Sequence, residues 1–304
     1  AGLQRLAEVQ SKSYCTRKDF QSLVGVLSFA ASTMPMARAF MTRLWAALRR
    51  SKGRYIRLNR GIRADLAFWS RFWADYDGKS MCLEALWSEA EEIGLFTDAS
   101  LEGFGAVQIF TETAPDGTVT RRAECFGGSW DQFGVDTSTL SINELEMLAV
   151  AMALDRWSEH YARKRIVMRC DNKNCVGAIN AKKARADALG VGLREVVFAC
   201  MRGSFDVRSR HIFSEENVLS DALSRFGIDP RYRKVFFDFA RSEFGLEPED
   251  ITMVESTLDV AHVLRRMVRA VANTPEAELE KRRRRNARAA ERRREKREEE
   301  ERCQ

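Results

Sequence analysis

Histidine is the scarcest chemically versatile residue in this 304-residue chain: there are three, and no CxxC or CxxH cluster accompanies them. That absence removes the usual zinc-site patterns. The seven cysteines, at positions 15, 82, 125, 170, 175, 200 and 303, are scattered and odd in number. They read as reduced thiols, mostly buried as small apolar fillers. No apolar run approaches the ~20 residues that a membrane-spanning helix needs. Nothing resembles a secretory leader, so the expected setting is cytoplasmic or nuclear, with no membrane partner.

Charge is abundant but uneven. The chain carries 50 Lys and Arg against 44 Asp and Glu, a formal net charge of +6. Residues 281–302, KRRRRNARAAERRREKREEEER, hold twelve of the basic and six of the acidic residues, leaving 38 of each elsewhere. The body is therefore neutral and the basic excess sits in the tail. Such a tail suits nucleic-acid binding or nuclear import. Its Arg and Glu also fall at i,i+4 spacings that support a solvated helix with no partner.

With 45% hydrophobic residues, six Trp and eighteen Phe, the remainder has ample material for a core. Periodicity divides it into a helical lead-in over residues 1–90, an α/β domain over 91–228, a helical extension over 229–273 and the charged tail over 274–304. In the lead-in, Thr16 and Asp19 have capping-box spacing before FQSLVGVLSFAAS, and Pro35 is expected to open the helix MARAFMTRLWAAL. Ile62, Leu66, Trp69 and Trp73 mark one stripe of a third helix. From Gly94 the period shortens: GLFTDAS, GFGAVQIFT and TVTRRAECFGGSW read as a meander of strands, the last two joined by a turn at Pro115, Asp116 and Gly117. A helix over Leu140–Trp157, the strand RIVMRC, helical material from Asn172 to Met201, the strand SFDVRSR and a helix after Ser214 follow. Strands first and then alternation predict a mixed sheet covered by helices.

Several acids stand in unusual positions. Asp98 and Asp171 each follow an apolar strand at the point where burial ends, although Asp171 alone also fits as a helix cap. In LSINELEMLAVAMALDRW, Ser141 and Glu144 have the S-x-x-E spacing that gives Glu144 a structural role. Glu146 instead shares a face with Ala149, Val150, Ala153 and Trp157, where a carboxylate is costly unless a cation meets it. Asp221 borders the stripe formed by Val218, Leu219, Ala222, Leu223 and Phe226, and His211 precedes that helix by a turn of loop. Four carboxylates gathered at one sheet edge would repel, and hard oxygen ligands of this kind select Mg²⁺ or Mn²⁺. A pair of such ions suits in-line displacement at phosphate.

The segments FTDASLEGFGAV, INELEMLAVAMAL, RCDNKNCVGAI and RHIFSEENVLSDALSR occur here in the order found in one family. Over about residues 94–226 the chain resembles the ribonuclease H domain of retroelement reverse transcriptases, most closely the DIRS-like group. LVGVLSFAASTMPMARAFMTRLWAAL and ADLAFWSRFW resemble the thumb and connection that precede that domain. The resemblance implies a mixed five-stranded sheet, an RNA/DNA hybrid as substrate, and two Mg²⁺ ions held by Asp98, Glu146, Asp171 and Asp221, with Mn²⁺ as a substitute. It places His211 as the mobile-loop residue that assists proton transfer or product release. It implies hydrolysis of the RNA strand to leave a 3′-hydroxyl and a 5′-phosphate, with RNA selected through its 2′-hydroxyl. Ser100, Gly103, Asn172 and Arg210 fall at expected substrate contacts, and Gly103 and Gly105 either admit the hybrid's groove or bend the strand.

The chain departs from that pattern in two respects. Only Lys182, Lys183 and Arg185 cluster between Asp171 and His211, so the family's separate basic handle is missing. Phosphate affinity then falls to the lead-in, the Arg208–Arg210 segment or the tail. No Tyr/Phe-x-Asp-Asp motif is present, so a polymerase palm and fingers are expected elsewhere, in a longer polyprotein. The competing expectation is a retroelement-derived interaction module that binds nucleic acid without turnover.

Overall fold

The computed structural model describes residues 2–33, 35–75, 83–89, 93–184, 186–272 and 280. The basic tail and two of the cysteines, Cys82 and Cys303, lie outside the described residues, as does Arg185. Nine strands and ten α-helices are seen among the described residues, an α/β architecture with mixed sheets.

The N-terminal part contains α1 (Gly2–Gln10), β1 (Tyr14–Thr16), α2 (Arg17–Thr33), α3 (Thr42–Arg50), β2 (Tyr55–Arg57) and α4 (Arg60–Asp75). Thr16 caps α2 as expected, its Oγ1 accepting from Asp19 N–H at 3.1 Å. Pro35 does not open an α-helix. It begins a 3₁₀ stretch, Pro35–Phe40, and α3 starts only at Thr42. The tighter winding sends Met36, Ala37 and Phe40 into the core together.

Strand β3 (Trp87–Ser88) precedes the meander β4 (Leu95–Ala99), β5 (Gly103–Thr113) and β6 (Val119–Ser129). Gly117, at φ +85°, makes the β5–β6 turn, and Asp116 Oδ1 accepts from Thr118 N–H at 2.9 Å. Next come α5 (Ile142–Arg156), β7 (Arg165–Cys170), α6 (Lys173–Ala181), α7 (Asp187–Arg202), β8 (Asp206–His211) and α8 (Val218–Arg225). The chain then continues through α9 (Arg231–Phe244), β9 (Ile251–Met253) and α10 (Val260–Val271).

The expected single five-stranded sheet is divided. Hydrogen bonding orders one sheet β4-β5-β6-β9 and another β3-β7-β8, with β4 packed beside β7 where the two meet. Strand β3 takes the edge of β7, pairing in parallel at Arg165 and Ile166. The C-terminal extension is not purely helical either: β9 adds in parallel to β6, with Ile251 opposite Ala123. Three residues are too few to show a period, which hid this strand in the sequence.

One buried apolar cluster runs from Leu6 to Val271, joining the lead-in helices, α5, α7 and α10. A second lies on the other side of the meander, where Phe96, Val107, Ile109, Ala123 and Cys125 meet Leu219 and Leu223 of α8 and Phe236 of α9. Helix α8 sits unusually close to the sheet because glycines floor it. A Cβ on Gly105 would meet Leu223 Cβ at 2.5 Å and Ser224 N at 2.7 Å, one on Gly103 would meet Ser224 O at 2.3 Å, and one on Gly127 would meet Leu223 O at 2.9 Å. Gly103 and Gly105 therefore serve the packing of α8 against the sheet. Among the described residues no helix is long and apolar enough to cross a membrane.

Replacing Gly105 with Ala must push α8 off this floor, so we expect a loss of roughly 1–3 kcal/mol in urea unfolding. Gly25→Ala, mid-helix with nothing within 4 Å of the added carbon, should instead gain up to ~1 kcal/mol.

Candidate metal centre

Strand β4 carries Asp98 on the same face as Phe96, toward α8, and Asp98 is only 5% exposed. The Ser224 hydroxyl donates to its Oδ2 at 2.6 Å. Ser224 lies one helical turn beyond Asp221, and the glycine floor brings it within reach. Asn217, at the start of α8, fixes the other end by donating from Nδ2 to Thr97 O at 3.0 Å.

Helix α5 is buried along nearly its whole length. Its first turn is closed as expected, Ser141 N–H donating to Glu144 Oε2 at 2.7 Å. Glu146 then projects inward, 5% exposed, and its Oε2 is buried with no hydrogen-bond partner among the described residues. Burial pushes its carboxyl well above the ordinary range. Asp98, Cys170 and Asp171 push it further, while a backbone hydrogen bond at Ala99 pulls the other way.

At the end of β7, two acceptable helix caps stand side by side, and the structure uses the second. Asn172 Oδ1 accepts from Asn174 N–H at 3.0 Å and Cys175 N–H at 3.2 Å, opening α6. Its Nδ2 donates to Asn143 Oδ1 at 3.0 Å, tying α6 to the start of α5. Asp171 is thereby released from capping. Its Oδ2 accepts from Ser214 Oγ at 3.1 Å, and its Oδ1 is buried without a partner among the described residues.

One oxygen each from Asp98, Glu146 and Asp171 lie within 4.8 Å of one another, the acidic group among the described residues suited to a metal ion. All are oxygen donors, and the group could hold a metal ion. Burial raises Asp98 to about 7, opposed first by the Ser224 hydrogen bond and assisted by the charges of Asp221 and Asp171. Asp221, the fourth expected ligand, is not part of this group. Its Oδ1 is engaged by Arg225, four residues along α8, although its charge still reaches Asp98.

The remaining expected residues are distributed as follows. His211 ends strand β8 and does not lie on a loop. It stands opposite Cys170, one residue from Asp171, with its ring edge-on to Phe213 at 5.8 Å. Ser100 is 4% exposed and its hydroxyl closes the β4–β5 turn, accepting from Gly103 N–H at 2.8 Å. Arg210 is exposed on β8. Lys182 is not a surface cation: burial lowers its pKa, and it faces Asp206 at 3.6 Å. The sequence reading missed Ser224, Asn217 and Asn143. A polar residue repeated on the apolar face of ENVLSDALSR was the available signal for the first two.

Five cysteines are buried and free, and burial pushes Cys125 to about 12, away from thiolate chemistry. Comparison with protein-family models, curated proteins and solved structures finds no match.

A carboxyl raised in the folded state binds its proton more tightly there than in the unfolded chain, so stability falls as pH rises from ~4, the unfolded value, through about 7. In metal-free buffer we expect a lower melting temperature at pH 8 than at pH 5.5. Asp98→Asn should flatten that slope, and millimolar Mg²⁺ should raise the melting temperature at pH 8 more than at pH 5.5.

Proposed function

We propose that this chain is a divalent-metal-dependent nuclease that hydrolyses the RNA strand of RNA/DNA hybrids, the ribonuclease H portion of a retroelement reverse transcriptase. The observation that carries this reading is the convergence of Asp98 with two buried, unpartnered carboxylate oxygens, Glu146 Oε2 and Asp171 Oδ1. Such oxygens are expensive without a cation. Mg²⁺ or Mn²⁺ held there would supply charge stabilisation at a phosphoryl oxygen and a bound water more acidic than bulk water.

The chain's own residues have distinct tasks in this reading. Asp98, Glu146 and Asp171 would hold the ion, with Ser224 and the Ala99 backbone orienting Asp98 and Glu146. His211 pairs with Cys170, the residue before Asp171, and in this reading assists proton transfer to the departing oxygen. The preference for RNA follows from the resemblance of the segments around these acids, through contact with the 2′-hydroxyl. DNA synthesis is assigned to a palm and fingers elsewhere in a longer polyprotein.

One observation favours the competing reading of a non-catalytic nucleic-acid-binding module. The three converging acids could hold one ion, and a second would need Asp221, whose carboxylate is engaged by Arg225. The nuclease reading therefore requires Asp221 to exchange Arg225 for metal when substrate is bound.

Incubation of the full chain with Mg²⁺ and a labelled hybrid, beside single-stranded RNA and duplex DNA, separates these readings. Cleavage confined to the RNA of the hybrid is expected, reduced about a thousandfold by Asp171→Asn, equivalent to ~4 kcal/mol of lost transition-state stabilisation. No cleavage, or equal cleavage by the variant, contradicts the nuclease reading. Equal cutting of duplex DNA contradicts the ribonuclease assignment alone.

A further inference from the structure

Strands β7 and β8 present two contrasting faces. Ile166, Met168 and Cys170 on β7 and Val207 and Ser209 on β8 are buried, whereas Arg165 and Arg169 are half-buried and Arg208 and Arg210 are exposed. The register sets Arg169 opposite Arg210, and Arg165 opposite Asp206. Four arginines thus share one face of a three-stranded sheet. The acid of these strands on that face, Asp206, faces Lys182 at 3.6 Å.

This face continues the one that α8 and α9 cover elsewhere. The Arg169 guanidinium lies 5.4 Å from the Phe96 ring centre, and Phe96 belongs to the core beneath those helices. Over β7 and β8 the described residues supply arginines in place of a covering helix. At the outer edge, β3 adds Trp87, with the Arg208 guanidinium 4.1 Å and that of Arg165 6.0 Å from the ring centre. Neighbouring Leu86 is 81% exposed. At the other end, Cys170 and His211 face each other and Asp171 follows directly. The strip therefore runs from an aromatic edge to the carboxylates.

We propose that this arginine face binds the sugar–phosphate backbone of a single nucleic-acid strand and leads it to the acidic centre. The inference rests on the nuclease reading for what happens at that centre, and on the sheet face alone for binding. Alternate residues on a strand recur about every 6.6–6.8 Å, an interval comparable with that between successive phosphates of an extended strand. Guanidinium groups grip phosphate through paired hydrogen bonds, and Trp87 offers a ring on which a base stacks. The strip also solves a problem the acids create: three carboxylates repel a phosphate, so cationic groups beside them must bring it in.

The test uses the full chain in EDTA, so that binding is read without turnover, with a fluorescein-labelled single-stranded RNA followed by anisotropy over a range of salt concentrations. Arg208→Ala with Arg210→Ala should weaken binding and reduce the log–log salt slope by ~1.4, about 0.7 for each phosphate no longer neutralised. Arg121→Ala with Arg122→Ala, an equal loss of charge at exposed positions toward the turn end of β6, should leave the slope unchanged. An unchanged slope in the strand pair, or an equal fall in the control pair, overturns the proposal. Hybrid cleavage by the wild type in Mg²⁺ keeps the two claims separate. A reduced slope without wild-type cleavage supports the binding face while the nuclease reading fails, and cleavage with an unchanged slope does the reverse.

Discussion

Three carboxylates sharing a nearly dry sheet edge are the constraint around which this molecule is arranged. Two ionised carboxylates about 5 Å apart repel by ~3 kcal/mol at an effective dielectric constant of ~20, before the cost of desolvation is counted. The fold tolerates this only in part. Ser224 and the Ala99 backbone each stabilise one negative charge, and Asp98 and Glu146 hold their protons more tightly than free carboxyls do. Ser224 reaches Asp98 only because Gly103, Gly105 and Gly127 let α8 lie against the backbone of β5 and β6. A packing feature of the sheet thereby sets the electrostatics of the acids.

Much of the acidic group was legible because burial and charge conflict in the sequence itself. Glu146 on an apolar helix face is such a conflict, and the capping-box spacing separated it from Glu144 two residues earlier. Asp171 was ambiguous, since a strand-end Asp is also a good cap; only the folded structure shows that Asn172 takes that role. The meander, its turn and the helix pattern were visible as changes of period. The glycines were visible as residues and not as a floor, because the helix they seat lies more than ninety residues downstream. The short strand β9, the 3₁₀ stretch at Pro35 and the division into two sheets depend on tertiary pairing that no local pattern encodes.

Charge is distributed with a direction. Acids gather at the end of β4 and β7, arginines line one face of β7 and β8, and the cations expected between Asp171 and His211 are partly withdrawn into the structure, as Lys182 shows. Asp221 links the two regimes: its charge reaches Asp98, yet its carboxylate is held by Arg225. A polyanion approaching along the arginines would meet the acids last. A cation could meet them there, since Glu146 Oε2 and Asp171 Oδ1 have no donor among the described residues.

Isothermal titration of Mg²⁺ into the metal-free chain at pH 8 tests this account most directly, because it reads the acids without requiring substrate or turnover. Saturable binding that disappears in Glu146→Gln, with the variant still folded by circular dichroism, is the predicted result. Absence of binding to the wild type, or binding that survives Glu146→Gln unchanged, would contradict it.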